Sequence, residues 1–430
     1  MSEPVKALIN ARLLDPATHT DTKGGLLLED GKILDWGAHI KGDALPEGAT
    51  VEDCAGLCLA PGLVDAHAYL CEPGKEHRET MATAGMAAAA GGVTTINAFP
   101  ATEPVIDDPA IVEMVQRRAK NTCAVNVCIT GALTKGLQGM EMAEIGLLSE
   151  AGVVAISDGQ FAISNVNLMR RALSYSSMFD LPVIVHAEDP DLAAGGVITG
   201  GRTATFMGLK SAPACAEAIL VERDIRLVKM TGARWHAAHL STKDALDTMR
   251  RAKDEGLKVT AGTAPHYHAL NDLELGEYRT FSRVSPPLRE EEERLAVIEG
   301  IKDGTIDIIS SQHLPQSADS KRVPFAQAKP GVIGLETMLP VSLRLYHNGD
   351  VDLLRLLHAM TVAPAKLLGI EAGALKKGAN ADIFLFDTEK PWQVNGDLLL
   401  SKSKNTAFDG HLLQGRVVKT IVHGKTVFEL

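Results

Sequence analysis

From about residue 59 to residue 368 the chain repeats one unit: a short apolar run, a loop and a longer amphipathic segment. The apolar runs include Val93–Ala98, Ala124–Thr130, Val153–Ser157, Pro182–His186, Arg234–His239, Lys258–Thr263 and Ile306–Ser310. Between them lie helix-like stretches such as Ile111–Ala119, Asn167–Phe179, Ala214–Thr231, Lys243–Glu255 and Glu290–Gly300. A strand followed by a helix must return parallel to its predecessor, and seven or eight such units predict a closed (β/α)8 barrel of the TIM type.

The ends follow a different rule. Residues 1–58 alternate short apolar runs with turn residues, and Glu29-Asp30-Gly31-Lys32 supplies a hairpin turn between Gly25–Glu29 and Lys32–Trp36. Residues 369–430 return to short strands over Ala381–Asp387, Gly415–Val422 and Thr426–Phe428. Two β-rich ends around a barrel predict a small β-sandwich built from both termini.

Charge and cysteine usage exclude several classes of partner. The formal net charge of −11 leaves no basic stripe for nucleic acid or for an anionic membrane. No run approaches the ~18 apolar residues of a spanning helix, and Met1-Ser2-Glu3-Pro4-Val5-Lys6 lacks a signal-peptide profile. The six cysteines are scattered, and the Cys54/Cys58 spacing has no second pair to complete a zinc knuckle. The expectation is a cytoplasmic protein with free thiols.

In a barrel, reacting groups stand in the loops after the strands. Those positions read Asp65-Ala66-His67-Ala68-Tyr69-Leu70-Cys71, Ser157-Asp158-Gly159, His186-Ala187-Glu188-Asp189, His236 to Thr242, and Ser311-Gln312-His313-Leu314-Pro315. A single histidine at a strand end is ordinarily a loop cap or a satisfied buried group. Three on different strands are harder to explain that way, because imidazole is the commonest ligand of a hydrolytic zinc.

Seven segments, in order along nearly the whole chain, resemble the landmarks of dihydroorotases, a branch of the amidohydrolase superfamily. They are Pro61-Gly62-Leu63-Val64-Asp65-Ala66-His67, Glu72-Pro73-Gly74, Ala88-Ala89-Ala90-Gly91-Gly92-Val93-Thr94-Thr95, His186-Ala187-Glu188-Asp189, His239-Leu240-Ser241-Thr242, Pro286-Pro287-Leu288-Arg289 and Ser401-Lys402-Ser403-Lys404-Asn405-Thr406. The resemblance implies a metal-holding barrel with a terminal β-sandwich and the interconversion of N-carbamoyl-L-aspartate and dihydroorotate in pyrimidine biosynthesis.

The same comparison shows what has changed. The family's metal ligands are a His-x-His pair, a mid-barrel acidic residue, two later histidines and a final Asp. Here His67, Asp158, His186 and His239 stand at four of those positions and form a candidate remnant metal set. Tyr69 replaces the second histidine of the pair, and Gln312 replaces the Asp that also serves as catalytic base. Gln has no basic site near neutral pH, and a phenol titrating near ~10 substitutes poorly for imidazole. Cys71 and Ala101 stand where the family has the Arg and Asn that hold the substrate carboxylate, and Gln316 replaces a further His. These departures predict at most one weakly held zinc.

Two functions compete. One is a catalytically degenerate dihydroorotase-like scaffold for aspartate carbamoyltransferase, since ligand-poor family members of this kind partner that enzyme; a homo-oligomer is also expected. The other is an active cyclic amidohydrolase with a reduced one-metal site at Asp158, His186 and His239. An unrelated binding role on the same barrel stays open, because fold does not fix function.

Overall fold

The computed structural model describes residues 4–42 and 45–430. The N-terminal region contributes β1 (Lys6–Asp15), β2 (Thr20–Glu29), β3 (Lys32–Gly37), β4 (Thr50–Asp53) and β5 (Cys58–Pro61). The barrel strands are β6 (Leu63–Ala68), β7 (Val93–Ala98), β8 (Asn126–Ala132), β9 (Ala155–Ser157) and β10 (Val183–Val185). A two-stranded excursion, β11 (Ile198–Thr199) and β12 (Ser211–Ala212), precedes β13 (Trp235–Ala237), β14 (Val259–Thr263) and β15 (Ile308–Ile309). The chain ends in β16 (Ile383–Gln393), β17 (Leu412–Val422) and β18 (Lys425–Glu429).

The barrel sheet runs β6-β7-β8-β9-β10-β13-β14-β15, all in parallel. It closes between its first and last members: Ala68 bridges His313, and the Tyr69 N–H donates to the His313 carbonyl at 2.9 Å. Asp65 reinforces the seam. Its carboxylate accepts from the Ser311 N–H at 2.9 Å and from the Ser311 hydroxyl, at full burial. The expected (β/α)8 architecture is therefore present.

β6 escapes an apolar-run search because Asp65 and His67 interrupt it, although all six of its residues are buried. β15 is only two residues long, where the sequence predicted a strand from 306 to 310. Its neighbours instead make loop contacts: Asp307 N–H reaches the Ala261 carbonyl and Ser310 N–H the Thr263 carbonyl.

Both termini meet in one sheet, ordered β18-β17-β16-β5-β1-β2-β3, with β4 also on β1. The junction is β5, which lies parallel to β1 and antiparallel to β16. This is one sheet bent upon itself: Ile33 of β3 exchanges backbone hydrogen bonds with Gly378 and Ala379, just before β16. Leu8, Leu13, Leu26, Leu59, Ile383 and Ile421 fill the enclosed core.

Scaffold motifs explain themselves in packing. Helix Met81–Ala90 is opened by a reciprocal cap between Thr80 and Thr83 and leads into Gly91-Gly92. A Cβ at Gly91 would run into the Leu335 carbonyl, and Gly92 has φ +78° against the Phe384 ring. Arg289 is buried and reaches Ser241 Oγ (2.9 Å), Thr199 Oγ1 (3.0 Å) and the Glu217 carboxylate (3.4 Å). Glu217 in turn accepts from the Ser241 and Thr242 N–H groups, each at 2.9 Å, so this network locks the loop after β13. Among the described residues, no helix is long and apolar enough to cross a membrane.

Candidate active site at the barrel mouth

Three of the expected histidines converge. His67 lies near the end of β6, and its ring is 4.3 Å, centroid to centroid, from that of His239 after β13. His186 follows β10 and is close enough for its charge to act on both. Burial, with smaller contributions from the neighbouring imidazoles, holds His67 and His239 well below the usual histidine range, so both rings are neutral.

Phe99, which carried no expected role, shapes this cluster. Its ring stacks on His67 at 3.7 Å with an interplanar angle of 19°, and lies 5.6 Å from Tyr69. Tyr69 packs 5.4 Å from His67, and its hydroxyl lies beside Gly159. Burial pushes the phenol far above its normal range, so it stays protonated. The position of the family's second imidazole is thus held by a neutral hydroxyl in an aromatic stack.

Asp158 does not join the histidines as a free ligand. One oxygen accepts from the Leu133 and Thr134 N–H groups at 2.9 and 2.8 Å, and the other takes the Thr134 hydroxyl. Burial raises this carboxyl to about 6 despite those hydrogen bonds. Its role in the fold is to anchor the loop after β8.

Gln312 is committed as well. Its Nε2 donates to the Ser285 carbonyl at 2.8 Å, at a backbone φ of +48°. Ser285 also approaches His186: Oγ lies 3.2 Å from Nε2, which stands 3.7 Å from Glu188. His239 Nε2 lies 3.4 Å from Ser310 Oγ. Ser285 sits just before the Pro286-Pro287 motif, which was the one available hint of its importance.

The substrate-side positions are apolar or occupied. Cys71 is buried, has φ +61°, and directs its thiol toward the Tyr69 carbonyl at 3.8 Å; burial raises it to about 12. Ala101 carries no functional group, but its carbonyl accepts from Lys75 Nζ at 3.1 Å. Gln316 donates to the Pro330 carbonyl at 2.8 Å.

Comparison with known proteins gives this geometry a lineage. A family model described as dihydro-orotase-like matches residues 56–245. A dihydroorotase of Wolbachia sp. subsp. Brugia malayi is 42% identical over 424 residues, covering 98% of this chain and 95% of that protein. A dihydroorotase of Acetivibrio thermocellus is 44% identical over 416 residues, covering 96% and 97%. The chain belongs to the dihydroorotase family. Among solved structures, the L-hydantoinase (dihydropyrimidinase) from Arthrobacter aurescens superposes with a TM-score of 0.88 at 26% identity, covering 99% of this chain and 96% of that one.

A dihydroorotase-family barrel implies a metal, and the residues here do not fit one. Among the described residues, no group of three or more His, Cys, Asp or Glu side chains is arranged to hold an ion. Of the expected remnant set, His67, His186 and His239 gather at the barrel mouth, and the Asp158 carboxyl is engaged by the Leu133 and Thr134 N–H groups. A hydrolytic zinc needs three firm donors and an open position. The buried Nδ1 atoms of His67 and His239 are without partners, but Asp158 already accepts three hydrogen bonds and neither Tyr69 nor Gln312 supplies a charge.

Proposed function

We propose that this chain is a dihydroorotase-family barrel of pyrimidine biosynthesis that has exchanged hydrolysis for a structural role beside aspartate carbamoyltransferase. One observation carries the loss of catalysis: Gln312, at the family's base position, is a hydrogen-bond donor to the Ser285 carbonyl. A donor amide cannot take a proton from an attacking water. Losses at Tyr69, Cys71 and Ala101 point the same way. The packed scaffold motifs around Gly91, Gly92 and Arg289 are compatible with a structural role, and the partner rests on the resemblance drawn from the sequence.

The opposing reading, an altered cyclic amidohydrolase, draws on Lys75. Its ammonium beside Ala101 could meet a substrate carboxylate where the family's Asn is missing. Two measurements decide between them. The purified protein, supplied with zinc, is assayed for dihydroorotate hydrolysis and for metal content; the proposal expects no turnover and no stoichiometric zinc. It is then mixed with an aspartate carbamoyltransferase catalytic chain at micromolar concentration. Co-migration with a changed transcarbamoylase activity supports the scaffold, and separate migration with unchanged activity refutes it.

A further inference from the structure

A second feature lies apart from the histidine cluster. A cavity of about 420 Å³ is walled by the loops after the first and last barrel strands and by the segment from Asn395 to Asp409. None of His67, His186 and His239 lines it. Four cationic side chains do: Lys321, Arg322, Lys402 and Lys404.

Among the described residues, none of the four forms an ion pair with a carboxylate; the lysines are held by neutral carbonyls. Lys321 Nζ donates to the Thr280 and Arg283 carbonyls at 3.0 and 3.3 Å, and Lys402 Nζ to the Glu76 carbonyl at 2.6 Å. Lys404 Nζ donates to the Leu399 and Ser401 carbonyls. Carbonyls fix an ammonium in place without cancelling its charge, and each ammonium retains an N–H to give. Glu336 feels Lys404 only through space. Asp397 and Asp409 line the same cavity, and Asp409 is engaged by the Gly396 N–H at 2.8 Å.

Against these two carboxylates the four cations leave the recess with an excess of positive charge. Lys321 is 2% exposed, and burial, with Arg283 nearby, lowers its ammonium to about 7. A chain of net charge −11 repels anions at long range, so a local cationic recess is what would be needed to retain one. Gln316, 6% exposed, also lines the cavity and is fixed there by its Nε2, which donates to the Pro330 carbonyl at 2.8 Å.

We propose that this cavity binds a small polyanion carrying phosphate or carboxylate groups. The lysines and Arg322 meet the anionic oxygens. The volume falls within the ~300–1,000 Å³ of small-molecule sites.

The full chain is titrated calorimetrically, and by thermal shift, with inorganic phosphate, pyrophosphate and citrate at low ionic strength. Saturable binding is expected, weakened about tenfold or more in Arg322→Gln and in Lys402→Gln, since each removes a charge-assisted contact. Both side chains are exposed at the rim, so these variants fold even if Lys321→Met does not. A preference for pyrophosphate over citrate assigns a phosphate ligand, and the reverse a carboxylate. The proposal is overturned if none of the three anions binds saturably, or if Arg322→Gln and Lys402→Gln bind unchanged.

Discussion

Gln312 is the residue on which the proposed loss of catalysis turns, and its hydrogen bond lets the cost of replacing it be worked out. In Gln312→Ala the Ser285 carbonyl loses its 2.8 Å donor at a site where Gln312 is only 4% exposed. A buried acceptor left unpaired costs about 1–3 kcal/mol. In Gln312→Asp the same carbonyl is unpaired and now shares its space with an uncompensated carboxylate. Leaving a buried charge without its partner costs roughly 3–5 kcal/mol. Asp does tolerate the left-handed φ of +48° better than Gln, which offsets a small part of this. The aspartate variant should therefore unfold at lower urea than the alanine variant near neutral pH. The sign of the pH effect follows: burial raises the folded-state pKa of the new carboxyl above its unfolded value. The Asp variant is then relatively most stable in acid and loses ground to Ala as pH rises through that folded value. Urea unfolding of the three proteins across mildly acidic to neutral pH measures both gaps. If Gln312→Asp matched the parent in stability, took up stoichiometric zinc and hydrolysed dihydroorotate by itself, the reasoning about this site would be wrong.

Three more outcomes are expected. The combined change Tyr69→His, Cys71→Arg, Ala101→Asn and Gln312→Asp is the one variant expected to regain zinc and any dihydroorotate turnover, because groups acting as a unit do not contribute additively; the readouts are bound metal and hydrolysis rate. Asp224 is buried beside Arg223, and burial raises its carboxyl from 3.8 to about 6, a shift of order 3 kcal/mol. Parent stability should thus fall as pH rises through that interval, and Asp224→Asn should flatten this portion of the urea-midpoint profile. Arg289→Met strips the buried Glu217 carboxylate of its cation and should cost about 3–5 kcal/mol in the same assay, whereas a rim substitution such as Arg322→Gln should leave stability nearly unchanged.

Much of this was legible in the chain itself, and the exceptions share a physical cause. Barrel strands flanked by long amphipathic helices announce themselves, and Val93–Ala98 coincides with its predicted run. β6 was hidden because Asp65 and His67 are polar residues whose partners lie far along the chain, at Ser311 and in the ring of Phe99. The bent terminal sheet was invisible as a single sheet, since β5 carries no sign that it will separate β1 from β16. At the mouth, residue types could be aligned with family positions, but not the use to which each side chain is put. Asp158 reads as a candidate ligand, and the sequence held no sign that the Leu133 and Thr134 N–H groups would also engage it. Lys321 gave no signal at all, because a lysine in sequence looks solvated until the fold buries it.

The position of β5 between β1 and β16 has a consequence for biogenesis. Leu59 registers with Leu13 on one side and Leu385 on the other. During vectorial synthesis the first of these pairings can form early, but the second must wait until the whole barrel has left the ribosome. Until then the N-terminal strands present an open edge, which invites pairing with other chains. The last strands to be translated act as a latch, so truncation or slow release of the C-terminal segment should be felt first as aggregation of nascent chains and only secondarily as a loss of barrel structure.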